Sequence, residues 1–136
     1  MKKLFLIFIL LLLSSVIIFS ELKHNDWIVK PIDKTIHVTA TVYNACPIQC
    51  NADYMTTAFG FKINKDNPYG NKFIAISRDL MKYFNKGDSV FIIGTIYDDD
   101  FIIADKMHKR WKNKIDILIN KDMPIGKWDS VKIIKF

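Results

Sequence analysis

The sequence predicts a mainly β fold, a small barrel of roughly six short strands with one or two helical turns. Three observations predict it. Short β-branched apolar runs recur along the chain, Gly, Asp and Asn break them at close intervals, and only residues 77–84 read as helical. The first strand is Thr35 to Tyr43 (TIHVTATVY), where apolar and polar residues alternate as on a half-buried strand. Asn44 to Thr56, with Pro47 and Asn51, reads as a long loop. Thr57 to Ile63 (TAFGFKI) reads as a short extended piece whose Gly60 lets the backbone turn or be approached closely.

Lys65 to Gly70 (KDNPYG) is a turn cluster, and Phe73 to Ile76 a buried strand. Ser77 then stands as N-cap of a helical turn or two through Phe84. Asn85 to Asp88 turns the chain into the strand Ser89 to Gly94, and Asp98-Asp99-Asp100 reads as the solvated tip of a hairpin leading to Phe101 to Ala104. Ile115 to Ile119 and Val131 to Ile134 complete the set.

Ahead of this domain, Lys2-Lys3 and the uncharged run Leu4 to Phe19 have the form of an export signal. The run is short for a bilayer crossing, so cleavage near Ser20 is expected, with retention as an anchor over residues 4–19 the alternative. Residues 21–34 are polar around Trp27 and read as a linker, which leaves 35–136 as the domain. A chain of this size forms one compact domain, and any function sits on it.

Export to the periplasm or the exterior bounds the partners. The 20 basic and 14 acidic residues become 18 and 14 once Lys2 and Lys3 leave with the signal, a net +4. An anionic wall polymer suits that charge and location, and nucleic acid does not. No run of basic residues alternates with aromatics as in a single-strand-binding groove. Cys46 and Cys50 (CPIQC) form an even pair in an exported chain, which favours a disulfide over free thiols. His37 and His108 add no zinc-like spacing, so no metal is expected.

The strongest candidate for chemistry is a pair of aspartates eleven positions apart, Asp105 and Asp116, in IIADKMHKRWKNKIDILI. Each interrupts or ends a strand, and a basic loop joins them. Paired carboxylates can hold one proton at neutral pH and deliver it to a glycosidic oxygen. On spacing alone a plain turn cap is an equal reading for either.

Taken together, TATVY, TAFG, IAIS, KGDSVFIIG, IIAD and KIDILI resemble the three-aspartate (3D) domain. That domain is a double-psi β-barrel found in membrane-bound lytic transglycosylase A, in muralytic germination proteins and, more distantly, in rare lipoprotein A. The resemblance covers Thr39 to Phe136 and is carried chiefly by the Asp105/Asp116 pair. It implies a six-stranded double-psi barrel that cleaves peptidoglycan glycan strands without water, metal or cofactor, as a monomer. In that chemistry an aspartate, placed at Asp105, protonates the oxygen between N-acetylmuramic acid and N-acetylglucosamine. Its conjugate base then takes the proton of the muramic 6-hydroxyl as an anhydro ring closes, while Asp116 raises its proton affinity or holds the sugar. The alternative is a glycan-binding barrel without turnover.

The chain departs from the family where a Gly-rich TGGAIKG-like loop would follow the first aspartate. Lys106-Met107-His108-Lys109-Arg110-Trp111-Lys112 stands there instead. Met107 and Trp111 pack that loop or present a sugar-stacking face, and Arg110 is placed to bind a stem-peptide carboxylate. Asp79 is either the third carboxylate, displaced two residues from the register position that Ser77 occupies, or an early-turn helix residue favoured by the macrodipole. Thr57, Lys62 and Tyr43 are expected to line the same groove, with Tyr54, Trp128 and His108 as further residues of interest.

Overall fold

The computed structural model describes residues 34–48 and 53–136. The leader, most of the linker, and Cys50 with the expected disulfide lie outside the described residues. Cys46 is half-buried with its thiol free.

Six strands close on themselves. They are β1 (Lys34–Asn44), β2 (Phe73–Ile76), β3 (Ser89–Ile93), β4 (Asp99–Lys106), β5 (Lys114–Ile119) and β6 (Lys127–Lys135). Around the barrel they run β1-β5-β2-β4-β3-β6. The β1/β5 and β2/β4 pairs are parallel, and the other four are antiparallel. Closure removes the unpaired strand edges that would otherwise template association.

Alternation along each strand decides what fills the interior. Val38 and Ala40 of β1, Ile74 and Ile76 of β2, Val90 and Ile92 of β3, and Phe101 and Ile103 of β4 all point in. Ile115, Ile117 and Ile119 of β5 and Val131 and Ile133 of β6 complete the plug. These β-branched side chains are stiff and pack well on a pleated surface. The 3-10 turn Arg78–Lys82 adds Leu80, and Phe84 follows it into the same core.

The structure corrects several element boundaries. Thr57 to Ile63 is not extended. The Gly60 amide donates back to the Thr57 carbonyl (2.8 Å), Gly60 has φ 86°, and Thr56 and Lys62 bridge across the hook. Phe61 and Ile63 then cover Phe73, Ala104 and Leu118 on the outer face of the barrel. Asp99 and Asp100 belong to β4 rather than to a hairpin tip. Only Asp98 turns the chain, accepting from the Gly94 and Thr95 amides at 2.9 and 2.7 Å. β6 begins at Lys127, four residues before the apolar run, because the bulge at Asp129 and Ser130 restarts its pairing with β1. Ser77 occupies the N-cap position without making the side-chain cap bond. Its hydroxyl oxygen accepts the Lys114 amide (3.0 Å) instead, tying β5 to the end of β2.

Candidate functional site

Registers place both aspartates beside one alanine. Ala75 of β2 pairs with Asp105 of β4 on one side and with Asp116 of β5 on the other. Asp116 in turn pairs with Thr41 of β1, and Thr41 with Lys127 of β6. Cross-strand partners share a face, so Lys127, Thr41, Asp116, Ala75 and Asp105 form one row across five strands. That row faces outward, since its neighbours Ala40, Ile115, Ile74 and Ile103 fill the barrel.

For Asp105, this orientation depends on one extra residue. Ile103 pairs with Ile74 and Asp105 with Ala75, leaving Ala104 as a bulge in β4. In an unbulged strand Ala104 would sit beside Ala75, and Asp105 would point inward beside Ile76. The two aspartates lie two strand spacings apart, about 10 Å at the backbone, with both side chains on one side.

A groove of about 710 Å³ opens above this floor. Residues 53–58 form one wall and the loop after β4, residues 106–111, the other. The first wall is bound to the floor by the Ala58 amide, which donates to Asp105 Oδ1 (2.8 Å). The second is fixed at its start by the Met107 amide on the Ile76 carbonyl (2.9 Å) and at its end by the Asn113 amide on Asp79 Oδ2 (2.9 Å). Met107 packs down and is buried, so the bulky side chains of this loop leave the groove open rather than filling it.

The two carboxyls differ in how they are held. Asp116 is half-buried and accepts a hydrogen bond from Thr41 Oγ1 to its Oδ1 (2.8 Å). Burial outweighs that bond and the attraction of Lys114, and with the repulsion of Asp105 it pushes Asp116 up to about 6. Asp105 is also raised by burial, but its Oδ1 accepts two amides, from Ala58 and Lys106 (both 2.8 Å), which favour the charged form. Burial therefore acts with less opposition on Asp116 than on Asp105.

Of the residues expected at the site, Asp105, Asp116, Thr57, Met107, Arg110 and Tyr43 line the groove, and Tyr54, Trp111 and His108 join them. Thr57 contributes mainly structure, being 5 % exposed with its hydroxyl oxygen accepting the Phe61 amide. Four residues singled out in the sequence lie outside the groove lining. Asp79 fastens the loop through Asn113, and although burial works against its charge, that amide and the Ser77 hydroxyl hold its carboxyl below the usual range. Ser77 is fully buried beneath the loop. Lys62 is exposed and bonds to Thr56 Oγ1 and Asp53 of the first wall. Trp128 packs against the core and Tyr97.

Sequence reasoning missed Thr41 as the partner of Asp116, Arg78 on the groove wall, and Ala75 between the carboxyls. The alternation in TATVY already put Thr41 and Tyr43 on one face of β1, which was the available signal for the first. Among the described residues no group of three His, Cys, Asp or Glu side chains is placed to hold a metal ion.

No family model matches the chain, and no curated protein matches it. Among solved structures, a mutant expansin from Clavibacter michiganensis, determined in complex with cellohexaose, does. The two share a fold. They superpose with a TM-score of 0.51 at 12 % identity, over 76 % of this chain and 50 % of the expansin. The chain thus spans about half the length of that structure. At this identity the likeness is one of architecture, and it agrees with the closed six-stranded barrel predicted from sequence.

Proposed function

We propose that this protein is an exported, cell-wall glycan-binding barrel that takes peptidoglycan glycan strands along the groove above Asp105 and Asp116. The groove itself carries the reading. Its size is that of a ligand site, its floor offers two carboxyls, and Tyr43, Tyr54 and Trp111 supply rings that present an apolar face and a polar or hydrogen-bonding edge. At the level of fold, support comes from the expansin, a barrel of this architecture determined with an oligosaccharide. The leader and the three-aspartate resemblance point to the wall as the source of the glycan.

A second reading, lytic transglycosylase activity, is favoured by Asp116. A carboxyl titrating at about 6 is protonated in a useful fraction near neutrality and is a competent general acid. Protonated Asp116 would donate to the glycosidic oxygen as the muramyl carbon–oxygen bond breaks. Its carboxylate would then remove the 6-hydroxyl proton as that oxygen closes on the same carbon, so no water is consumed. Asp105, fixed by two amides, would stabilise the positive charge that develops at the sugar carbon.

One experiment separates the two readings. Purified sacculi are incubated with the protein and with Asp116→Asn, and bound protein and released products are both measured. Binding by both proteins is expected under either reading. Anhydro-muropeptides released by the wild type and lost in Asp116→Asn establish the lyase, and binding with no anhydro product from either establishes a binding module. Absence of binding by the wild type overturns both.

A further inference from the structure

Lys114 stands two residues before Asp116 on the same outward row of β5, and its ammonium lies 4.0 Å from the ring centroid of Trp111. The Arg110 guanidinium lies 4.9 Å from the same ring. Among the described residues the ion pairs are Lys62–Asp53, Lys72–Asp99, Lys127–Asp129 and Lys135–Asp88, and Lys114 enters none of them. A lysine beside a half-buried carboxyl would ordinarily close on it as an ion pair. Here the indole takes the ammonium instead. Cation–π contacts of this kind are comparable in strength to a partly exposed ion pair, so the ring competes on equal terms.

We propose that Trp111 withholds Lys114 from Asp116, making Lys114 a positioning residue whose location sets whether Asp116 holds its proton. With Lys114 on the indole, Asp116 accepts the Thr41 hydroxyl, feels the ammonium only through space, and stays protonatable. With Lys114 released toward Asp116, the carboxylate is favoured. A ring stacked on Trp111 would displace the ammonium, so occupancy of the groove would be coupled to loss of the Asp116 proton. That consequence rests on the glycan-binding reading, whereas the withholding contact does not.

Other groups face Asp116 as well. Asp105 approaches from β4, Tyr43 lies on β1, and Lys127 lies across Thr41 on β6. Asp53 and Tyr54 stand on one wall, and Lys106, His108 and Arg110 with Arg78 on the other. Lys127 is drawn off by Asp129 (3.7 Å) and Arg78 by the Met107 carbonyl (3.5 Å). Lys114 is the cation with a defined alternative position on the carboxyl's own strand.

The test is the side-chain titration of Asp116 followed by NMR in the ligand-free protein, so its outcome is independent of any glycan. Lys114→Met is expected to raise the proton affinity of Asp116 about threefold or more. Lys132→Met, which removes the same charge from β6, is expected to leave it unchanged, and Lys114→Arg to restore most of the wild-type value. Trp111→Leu is expected to lower it, because the freed ammonium reaches the carboxylate. In a Lys114→Met background Trp111→Leu is expected to do nothing further. If Trp111→Leu lowers the affinity equally with and without Lys114, the ring acts by excluding water and the proposal is overturned. A Lys114→Met titration that matches the Lys132→Met control overturns it as well.

Discussion

Ala75→Phe is expected to abolish glycan binding while leaving the barrel folded. Ala75 is 5 % exposed and lies between Asp105 and Asp116 on the groove floor, with its methyl pointing away from the barrel core. A phenyl ring there grows into the groove rather than into the packed interior, so the substitution avoids the overpacking penalty of a core position. It would occupy the space directly above both carboxyls. Affinity for a peptidoglycan glycan oligosaccharide, measured by calorimetry, is expected to fall at least about 100-fold, the equivalent of nearly 3 kcal/mol. The thermal midpoint reports the fold independently, and Ala75→Leu gives a smaller obstruction should the larger one disturb β2. Undiminished binding by a folded Ala75→Phe would place the glycan elsewhere.

Asp116→Asn is expected to stabilise the protein at pH 8 and to leave its stability nearly unchanged at pH 4. The sign follows from proton binding. Asp116 holds its proton up to about 6 in the folded protein, whereas an unfolded aspartate releases it near 3.8. Between those values the folded state binds more protons, so the stability this group contributes is present below 3.8 and is lost as pH rises through 6. Asparagine cannot ionise, and its side-chain oxygen can still accept from Thr41. The gain at pH 8 is expected to be about 1 to 3 kcal/mol, readable from denaturant unfolding at the two pH values. A loss of stability at pH 8 would mean that the charged carboxylate is supported by its surroundings, and the proton-holding role would fall. Stability gained by neutralising a site residue is the usual mark of a group kept for function.

The fold was largely legible because the barrel's interior residues are short, β-branched and in strict alternation, as in Ile115, Ile117 and Ile119. The aspartate pair was legible for a related reason, since each interrupts or ends such a run, and Asp116 does so on the outward beat between Ile115 and Ile117. Three features needed coordinates. The bulge at Ala104 is a matter of register between strands distant in sequence, so nothing local announces that Asp105 turns outward. The hook at residues 57–63 looks like a strand because its apolar residues do face a core, the smaller one on the outside of the barrel. The relative proton affinities of Asp105 and Asp116 depend on which carboxyl meets backbone amides, and the Ala58 amide arrives from 47 residues away. Asp79 misled because its residue type and place fit a third carboxylate, while the chain spends it on the Asn113 amide to hold the groove's second wall.

On the proposed function a glycan lies over the row Asp116, Ala75, Asp105, between the walls that Ala58 and Trp111 help to form. Titrating a peptidoglycan glycan oligosaccharide into the isotopically labelled protein and following backbone amide and indole NMR signals tests it directly. The largest shifts are expected at the Ala58 amide, at Ala75 and at the Trp111 indole, with β3 and the exposed face of β6 unmoved. Shifts confined to β3, β6 or the cleft around Asn120 and Lys121, with the Ala58 and Trp111 signals unchanged, would contradict it.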